Sequence, residues 1–228
     1  MNDGTKEIDS DPSVNPDDFI ITRKRKKYKF AKFAGSPLCF EYEEWDGSYV
    51  PSAVEIGAGT GLFSVIQARQ HPEGKFLAVD VKADRLQKGA YMATEDGLEN
   101  IRFLRSRAEL VAELLAPHSL DILWITFPDP FPRRHSTGRR LTHPKFLKTY
   151  AELLGPAGAL YFKTDALALF HWSLEQLTRE GWNIKEVSFD LHESDLPDGY
   201  KVQTAYETRF IQEGLPINFV KAMPPTAS

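Results

Sequence analysis

The chain has 228 residues, 42% of them hydrophobic and 26% charged, with a formal net charge of −4 and a single cysteine, Cys39. That length can bury the core of one ordinary domain. The lone cysteine excludes an internal disulfide and a cysteine-rich zinc module, and no apolar run approaches the ~18 residues of a membrane span.

Residues 1 to 22 carry six acids against one base, Lys6. They lack the apolar core of a secretory signal, so a cytoplasmic protein with a disordered acidic tail over residues 1–18 is expected. Directly after it, Arg23, Lys24, Arg25, Lys26, Lys27, Lys29 and Lys32 put seven bases within ten residues. Tyr28, Phe30 and Phe33 interleave with them. Residues 19–50 read as a basic, aromatic segment that docks on the core through Phe30 and Phe33, and residues 51–221 as the main domain. There, short apolar runs alternate with amphipathic stretches, the mark of strand–helix repeats on a parallel sheet. Strands are predicted at 53–56, 76–80, 101–104, 121–126 and 160–164. Helices are predicted at 62–70, 83–95, 108–116, 144–154 and 167–180. The last part, with strands expected at 184–189 and 205–212, predicts an antiparallel pair closing the sheet.

The first strand runs into a glycine-rich turn, VEIGAGTG, residues 54–61. Gly57, Gly59 and Gly61 permit a tight turn and a close backbone approach to a ligand at a helix amino end. A dinucleotide fingerprint, G-x-G-x-x-G, would need its third glycine at Leu62. The spacing is instead E-x-G-x-G-x-G with Glu55 inside the strand, which resembles motif I of the class I methyltransferases, whose ligand is S-adenosylmethionine. Asp80 ends the next strand, where a carboxylate can accept both hydrogen bonds of a ribose diol. A nicotinamide enzyme is the alternative that this turn leaves open.

After the predicted strand at 121–126 comes FPDPFPRRHSTGRRL, residues 127–141. Prolines at a strand's carboxyl end keep the chain from entering a helix directly, and in an open α/β sheet that rim is where ligands bind. Asp129, between Pro128 and Pro130, is expected to project into the crevice. The segment resembles the signature F-P-D-P-W-x-K-x-x-x-x-x-R-R of the bacterial tRNA (guanine-N7-)-methyltransferases, the TrmB family. It stands here as Phe127, Pro128, Asp129, Pro130, Phe131, Arg133, Arg139 and Arg140. EIGAGTG, the RKRKKYKFAKF run, KTD (residues 163–165) and TAYE (residues 204–207) match in order, so the resemblance spans residues 22 to 213.

The resemblance implies the class I methyltransferase Rossmann-like fold: a mostly parallel seven-stranded sheet with an antiparallel C-terminal pair and helices on both faces. It implies S-adenosylmethionine as cofactor, S-adenosylhomocysteine as product, and tRNA as partner, with the guanine at position 46 of the variable region as the usual target. By the same carry-over Glu55, Gly57, Gly59, Gly61, Asp80, Arg107, Ala108 and Asp129 would meet the cofactor. Arg133, Asp165, Thr204, Ala205, Tyr206 and Glu207 would face the substrate nucleotide. Three departures stand out. Arg107-Ala108 replaces the family's Asp-Ala near the adenine, Phe131 replaces a tryptophan, and Ala166 and Phe210 stand where the family often has tryptophan and glycine.

The chemistry fits those residue types. Guanine N7 carries a lone pair and no proton, so its methylation needs no general base. It needs alignment, and negative charge beside a purine that becomes cationic. Asp129 is the leading candidate, followed by Asp165 and Glu207. Arg23, Lys24, Arg25, Arg134, Arg139 and Arg140 are expected to contact tRNA phosphates without reading bases. His135 and His143 lack a partner spacing for a metal and read as loop or helix-cap residues, so no metal is expected. The sequence also admits a class I methyltransferase with another acceptor, and an RNA-binding relative without turnover.

Overall fold

The computed structural model describes residues 13–225. The first twelve residues of the predicted acidic tail lie outside the described residues; the last part of that tail forms a 3-10 turn, Pro16–Asp18, capped by the Asn15 side chain. Among the described residues seven α-helices follow in chain order: α1 (Lys24–Ala34), α2 (Leu62–Gln70), α3 (Ala83–Glu95), α4 (Val111–Leu114), α5 (Pro144–Leu153), α6 (Leu167–Arg179) and α7 (Ala205–Gln212). Eight strands alternate with them: β1 (Cys39–Glu41), β2 (Ala53–Ile56), β3 (Phe76–Asp80), β4 (Ile101–Arg105), β5 (Leu120–Thr126), β6 (Leu154–Thr164), β7 (Asn183–Ser188) and β8 (Asn218–Met223).

All eight strands lie in one sheet, in the order β1-β4-β3-β2-β5-β6-β8-β7. The first six in that order pair in parallel; β8 runs antiparallel to both β6 and β7. Successive residues of β3 divide between the faces. Leu77 and Val79 pack with Tyr150 and Phe170 from α5 and α6, while Phe76 and Ala78 pack with Val65, Leu86 and Phe33 from α2, α3 and α1. Burial on both faces is why the parallel strands read as continuous apolar runs, whereas the edge strand β7 alternates along its length. The chain winds outward from β2 to β3 and β4, then returns to β5. The order therefore reverses between β2 and β5, and a crevice opens at their carboxyl ends.

Two expectations require correction. The sheet has eight strands rather than seven, because Cys39–Glu41 adds to the edge beside β4. Residues 205–212 are helix α7, not a strand. Thr204 is its N-cap and Glu207 stands three residues on, a start signal that outweighs the apolar content of the stretch. The true partner of β7 is β8, in a run, NFVKAM, not singled out from the sequence. Phe33 is buried and Phe30 packs beside it, so α1 is anchored by the two predicted aromatics. Cys39 is buried too, and that burial pushes its thiol up to about 12.

Candidate active site

The glycine turn leaves β2 with Gly57 and Ala58 donating to the Val79 carbonyl at 2.8 and 3.0 Å, which pins it to β3. Gly59 donates its N–H to Asp80 Oδ2 at 2.9 Å, and Lys82 N–H donates to Asp80 Oδ1 at 2.9 Å. Burial raises the Asp80 carboxyl above its ordinary range, against the pull of these two bonds. Gly59 has φ +58° and open space where a Cβ would stand; Gly61, at φ +71°, would place a Cβ 2.6 Å from Phe103 Cε1. The first glycine therefore opens onto the crevice and the second lets α2 pack on β4.

Glu55 lies below the turn, 2% exposed. Ser64 Oγ on α2 donates to Oε2 at 2.6 Å and Thr126 Oγ1 on β5 donates to Oε1 at 2.5 Å. Burial pushes its carboxyl up to about 7, with the two hydroxyls and Lys163 acting in the opposite direction. One acid thus ties together three of the elements around the crevice, β2, α2 and β5.

The FPDPF segment is bracketed by two strained residues, Phe127 at φ +47° and Phe131 at φ +40°. Such left-handed conformations cost about 1–3 kcal/mol each outside glycine and persist where surrounding contacts enforce them. The contacts are present. Phe127 N–H donates to the Lys163 carbonyl at 2.9 Å. Arg140 donates from Nε to the Pro130 carbonyl at 3.1 Å and from Nη2 to the Phe131 carbonyl at 3.2 Å, with its guanidinium 4.5 Å from the Trp172 ring centre. Arg139 lies over the Phe131 ring at 4.4 Å. Arg140, expected at a tRNA phosphate, is 8% exposed and instead clamps this loop. Asp129, at the middle of the loop, lines the crevice and is exposed to it.

The facing wall is α7 and the chain before it. Thr204 Oγ1 accepts the Glu207 N–H at 3.3 Å, and Ala205 opens the helix. Tyr206 is exposed and packs edge-on to Phe127 and Phe210. Its hydroxyl is raised first by burial and then by the charges of Asp165 and Asp129, both of which lie within electrostatic range of it. Glu207 does not face a ligand. Its side chain is fully buried, 2.7 Å from Lys163 Nζ and 3.0 Å from His192 Nε2. Lys163, also wholly buried, donates further to the Val202 carbonyl at 2.7 Å. Burial lowers the Lys163 ammonium below its usual range while Glu207 and Glu55 oppose that shift.

The result is a cleft of about 780 Å³, within the range of small-molecule sites. It brings together Glu55, Gly57, Gly59, Asp80, Ala108, Asp129, Arg139, Thr204 and Tyr206 among the predicted residues. Gly61 and Glu207 serve packing instead, and Asp165 sits half-buried just past the end of β6. Arg107 points to solvent while its neighbours Ser106 and Ala108 line the cleft. Arg133 and Arg134 are exposed on the loop after Pro132, and Arg23, Lys24 and Arg25 are exposed at the start of α1. Sequence reasoning missed Ser106, Lys82, Arg85, Lys88 and Arg209 in the lining. His143 caps α5, as its position suggested. Among the described residues no cluster of His, Cys, Asp and Glu is arranged to hold a metal, and no helix is long and apolar enough to cross a membrane.

Residues 50–220 match a family model described as "Putative methyltransferase". A tRNA (guanine-N(7)-)-methyltransferase of Brevibacillus brevis is 35% identical over 196 residues, covering 85% of this chain and 91% of the relative. A second, of Bacteroides thetaiotaomicron, is 30% identical over 220 residues, covering 89% and 86%. Among solved structures, the 16S rRNA methyltransferase KamB superposes with a TM-score of 0.58 at 18% identity, over 81% of this chain and 93% of its own. The 16S rRNA (adenine(1408)-N(1))-methyltransferase of Catenulisporales acidiphilia gives 0.58 at 16% identity, over 82% and 94%. At that identity the two structures establish the fold.

Proposed function

The chain belongs to the tRNA (guanine-N(7)-)-methyltransferase family, and on that footing we propose that it methylates N7 of guanine in tRNA, at position 46 of the variable region. The observation that carries the reading is the cleft itself. A buried acid, a half-buried acid at the end of β3 and an exposed acid, Glu55, Asp80 and Asp129, line one cleft beside the glycine turn.

S-adenosylmethionine fits this lining. Asp80 is anchored by two backbone N–H groups, which leaves it aimed from the end of β3 as an acceptor for a ribose diol. Gly59 leaves open the face that an approaching ligand needs, and Glu55 and Asp129 supply negative charge toward a cationic ligand. The cofactor supplies the methyl group as an electrophilic sulfonium. Taken up by the lone pair of guanine N7 with a neutral thioether as leaving group, that methyl would make the purine cationic, so the residues of the cleft have to supply alignment and negative charge. No proton moves in the step. Asp129 stabilises the purine as it becomes cationic, and its strained loop fixes the carboxylate before substrate arrives. Tyr206 offers an aromatic face for the base, and Thr204 and Asp165 border the same side. Arg133 and Arg134 meet tRNA phosphates from the loop, with Arg23, Lys24 and Arg25 from α1.

The test is transfer of labelled methyl to unmodified tRNA, followed by aniline cleavage at 7-methylguanosine. Cleavage at position 46 is expected. In Asp129→Ala we expect turnover to fall about 100-fold or more with cofactor binding retained, the size of loss seen when one preorganised electrostatic group is removed. A fully active Asp129→Ala would refute its role, and cleavage at another guanine would refute the position.

A further inference from the structure

The cleft has an acidic floor and a basic brim, and the brim on one side comes from an element that sequence reasoning left without a ligand role. Lys82, Arg85 and Lys88 stand at the N-cap and in the first two turns of α3, spaced by three residues, so they project from one face. All three line the cleft and all three are exposed to solvent. Their partners differ from those of the other basic side chains nearby. Arg140 is bound to the carbonyls of Pro130 and Phe131, Arg209 is paired with Glu213 at 2.8 Å, and Lys27 is paired with Asp17 at 3.3 Å. Among the described residues Lys82, Arg85 and Lys88 make no ion pair within 4 Å, and the carboxylate on which Lys82 and Arg85 act electrostatically is Asp80 of the cleft itself. Arg85 also acts electrostatically on Tyr206, across the cleft on α7.

Their place in the fold gives this strip a neighbour. Helix α1, which carries Lys24, Arg25, Lys26, Lys27, Lys29 and Lys32, packs directly on α3. Phe33 joins Leu86, Ala90 and Ala93 in one buried cluster, with Phe30 beside them. Phe33 and Phe30 thus seat the basic helix α1 against α3, the helix that carries Lys82, Arg85 and Lys88.

We propose that Lys82, Arg85 and Lys88 form a phosphodiester track that binds the RNA strand on the α3 side of the cleft, next to the target nucleotide. This rests on the reading of the cleft as a tRNA methylation site. The track resolves a contradiction in the charge distribution. A net charge of −4 and three acids in the cleft repel a polyanion as a whole, while a row of cations at the brim holds the backbone outside. The neutral base alone then enters the acidic floor. Phosphate contacts of this kind position a strand without reading sequence.

The experiment is binding of the full-length protein to unmodified tRNA as a function of salt, by fluorescence anisotropy, alongside calorimetric titration with S-adenosylmethionine. The comparison is wild type, Arg85→Ala/Lys88→Ala, and a control Lys185→Ala on the exposed edge strand β7. We expect the double variant to bind tRNA about tenfold more weakly, with the slope of log K against log salt reduced by about one per side chain removed. Its cofactor affinity and the control's tRNA affinity should match wild type. Unchanged tRNA affinity and slope in the double variant, with wild type binding and methylating tRNA normally, would overturn the track alone. A selective fall in cofactor affinity would also overturn it, by assigning these side chains to the cofactor. Failure of wild type to bind tRNA at all would instead overturn the function on which the track rests.

Discussion

The two walls of the cleft are built by opposite means. On the β2 side the turn itself is held locally: Gly57, Ala58, Gly59, Val79, Asp80 and Lys82 are joined within 25 residues by backbone N–H donors. On the β6 side the contacts span the chain. Lys163 is bonded to Val202, 39 residues away, and to Glu207, 44 residues away, and Glu207 meets His192. The difference assigns distinct vulnerabilities. A local turn holds its shape whatever happens elsewhere, so damage there should appear in ligand binding. A wall held by a buried ion pair is part of the whole-fold balance, so damage there should appear first as lost stability.

The sharpest way to break this contrast is Glu207→Ala. It strands the Lys163 ammonium in an apolar site, and removing one partner of a buried pair typically costs about 3–5 kcal/mol. Urea unfolding should show that loss. The double variant Lys163→Met/Glu207→Leu should recover most of it, since apolar replacement of both partners removes the desolvation cost together with the attraction. A loss under about 1 kcal/mol for Glu207→Ala would show that this wall, too, is held locally.

The same contrast explains what could be read from the sequence. The bounds of β2, α2, β3 and α3 match the predicted ones because periodicity, the glycine turn and the flanking acids all act over a few residues. The carboxyl-terminal wall was misread where long-range pairing decides the outcome. Residues 205–212 were assigned to the sheet, although the Thr204–Glu207 start signal was present, and β8 was overlooked. At the site, Glu55, Asp80 and Asp129 were found by motif and lie in the cleft. Arg140, of the same FPDP…RR signature as Asp129, and Glu207, of the TAYE match, serve the architecture instead. A motif fixes the residue type, and only the packed chain shows whether the charge is aimed at a ligand or at a carbonyl. The left-handed Phe127 and Phe131 had no sequence signal, since aromatic residues rarely adopt that conformation.

Glu55 bridges the two walls, bonded to Ser64 on one side and Thr126 on the other, and its ionisation should sharpen the comparison. Its folded-state carboxyl stands near 7 against an ordinary 4.5. The folded protein therefore holds a proton that the unfolded chain releases, and stability falls as pH rises from about 4.5 to about 7. The full loss is about 3 kcal/mol. Glu55→Gln removes the titration. Its stability relative to wild type should climb through that window and then level, while methyl transfer measured above pH 7, where Glu55 is ionised, falls because the cleft has lost one of its negative charges. Parallel stability curves for the two proteins between pH 5 and 8 would show that Glu55 titrates as an ordinary carboxylate and that the crevice is wetter than its burial indicates.

The smallest stability effect, and the most selective, is expected at the glycine turn. Gly59→Ala meets no neighbour, because nothing lies within 4 Å of the added Cβ. It must only hold a left-handed backbone, a cost of about 1 kcal/mol. Gly61→Ala carries the same backbone cost and also drives a methyl into the Phe103 ring, 2.6 Å away in the core, which adds about 1–3 kcal/mol of overpacking. The ligand readout should run the other way. Gly59 lines the cleft and donates to Asp80, so its new methyl occupies ligand space and weakens S-adenosylmethionine in a calorimetric titration, while urea unfolding shifts little. Gly61→Ala should lose stability first and cofactor affinity only as far as the fold is lost. If Gly59→Ala instead bound the cofactor like wild type, the turn would be a structural bend, and the division of labour between the two walls would fail on the side where it is most local.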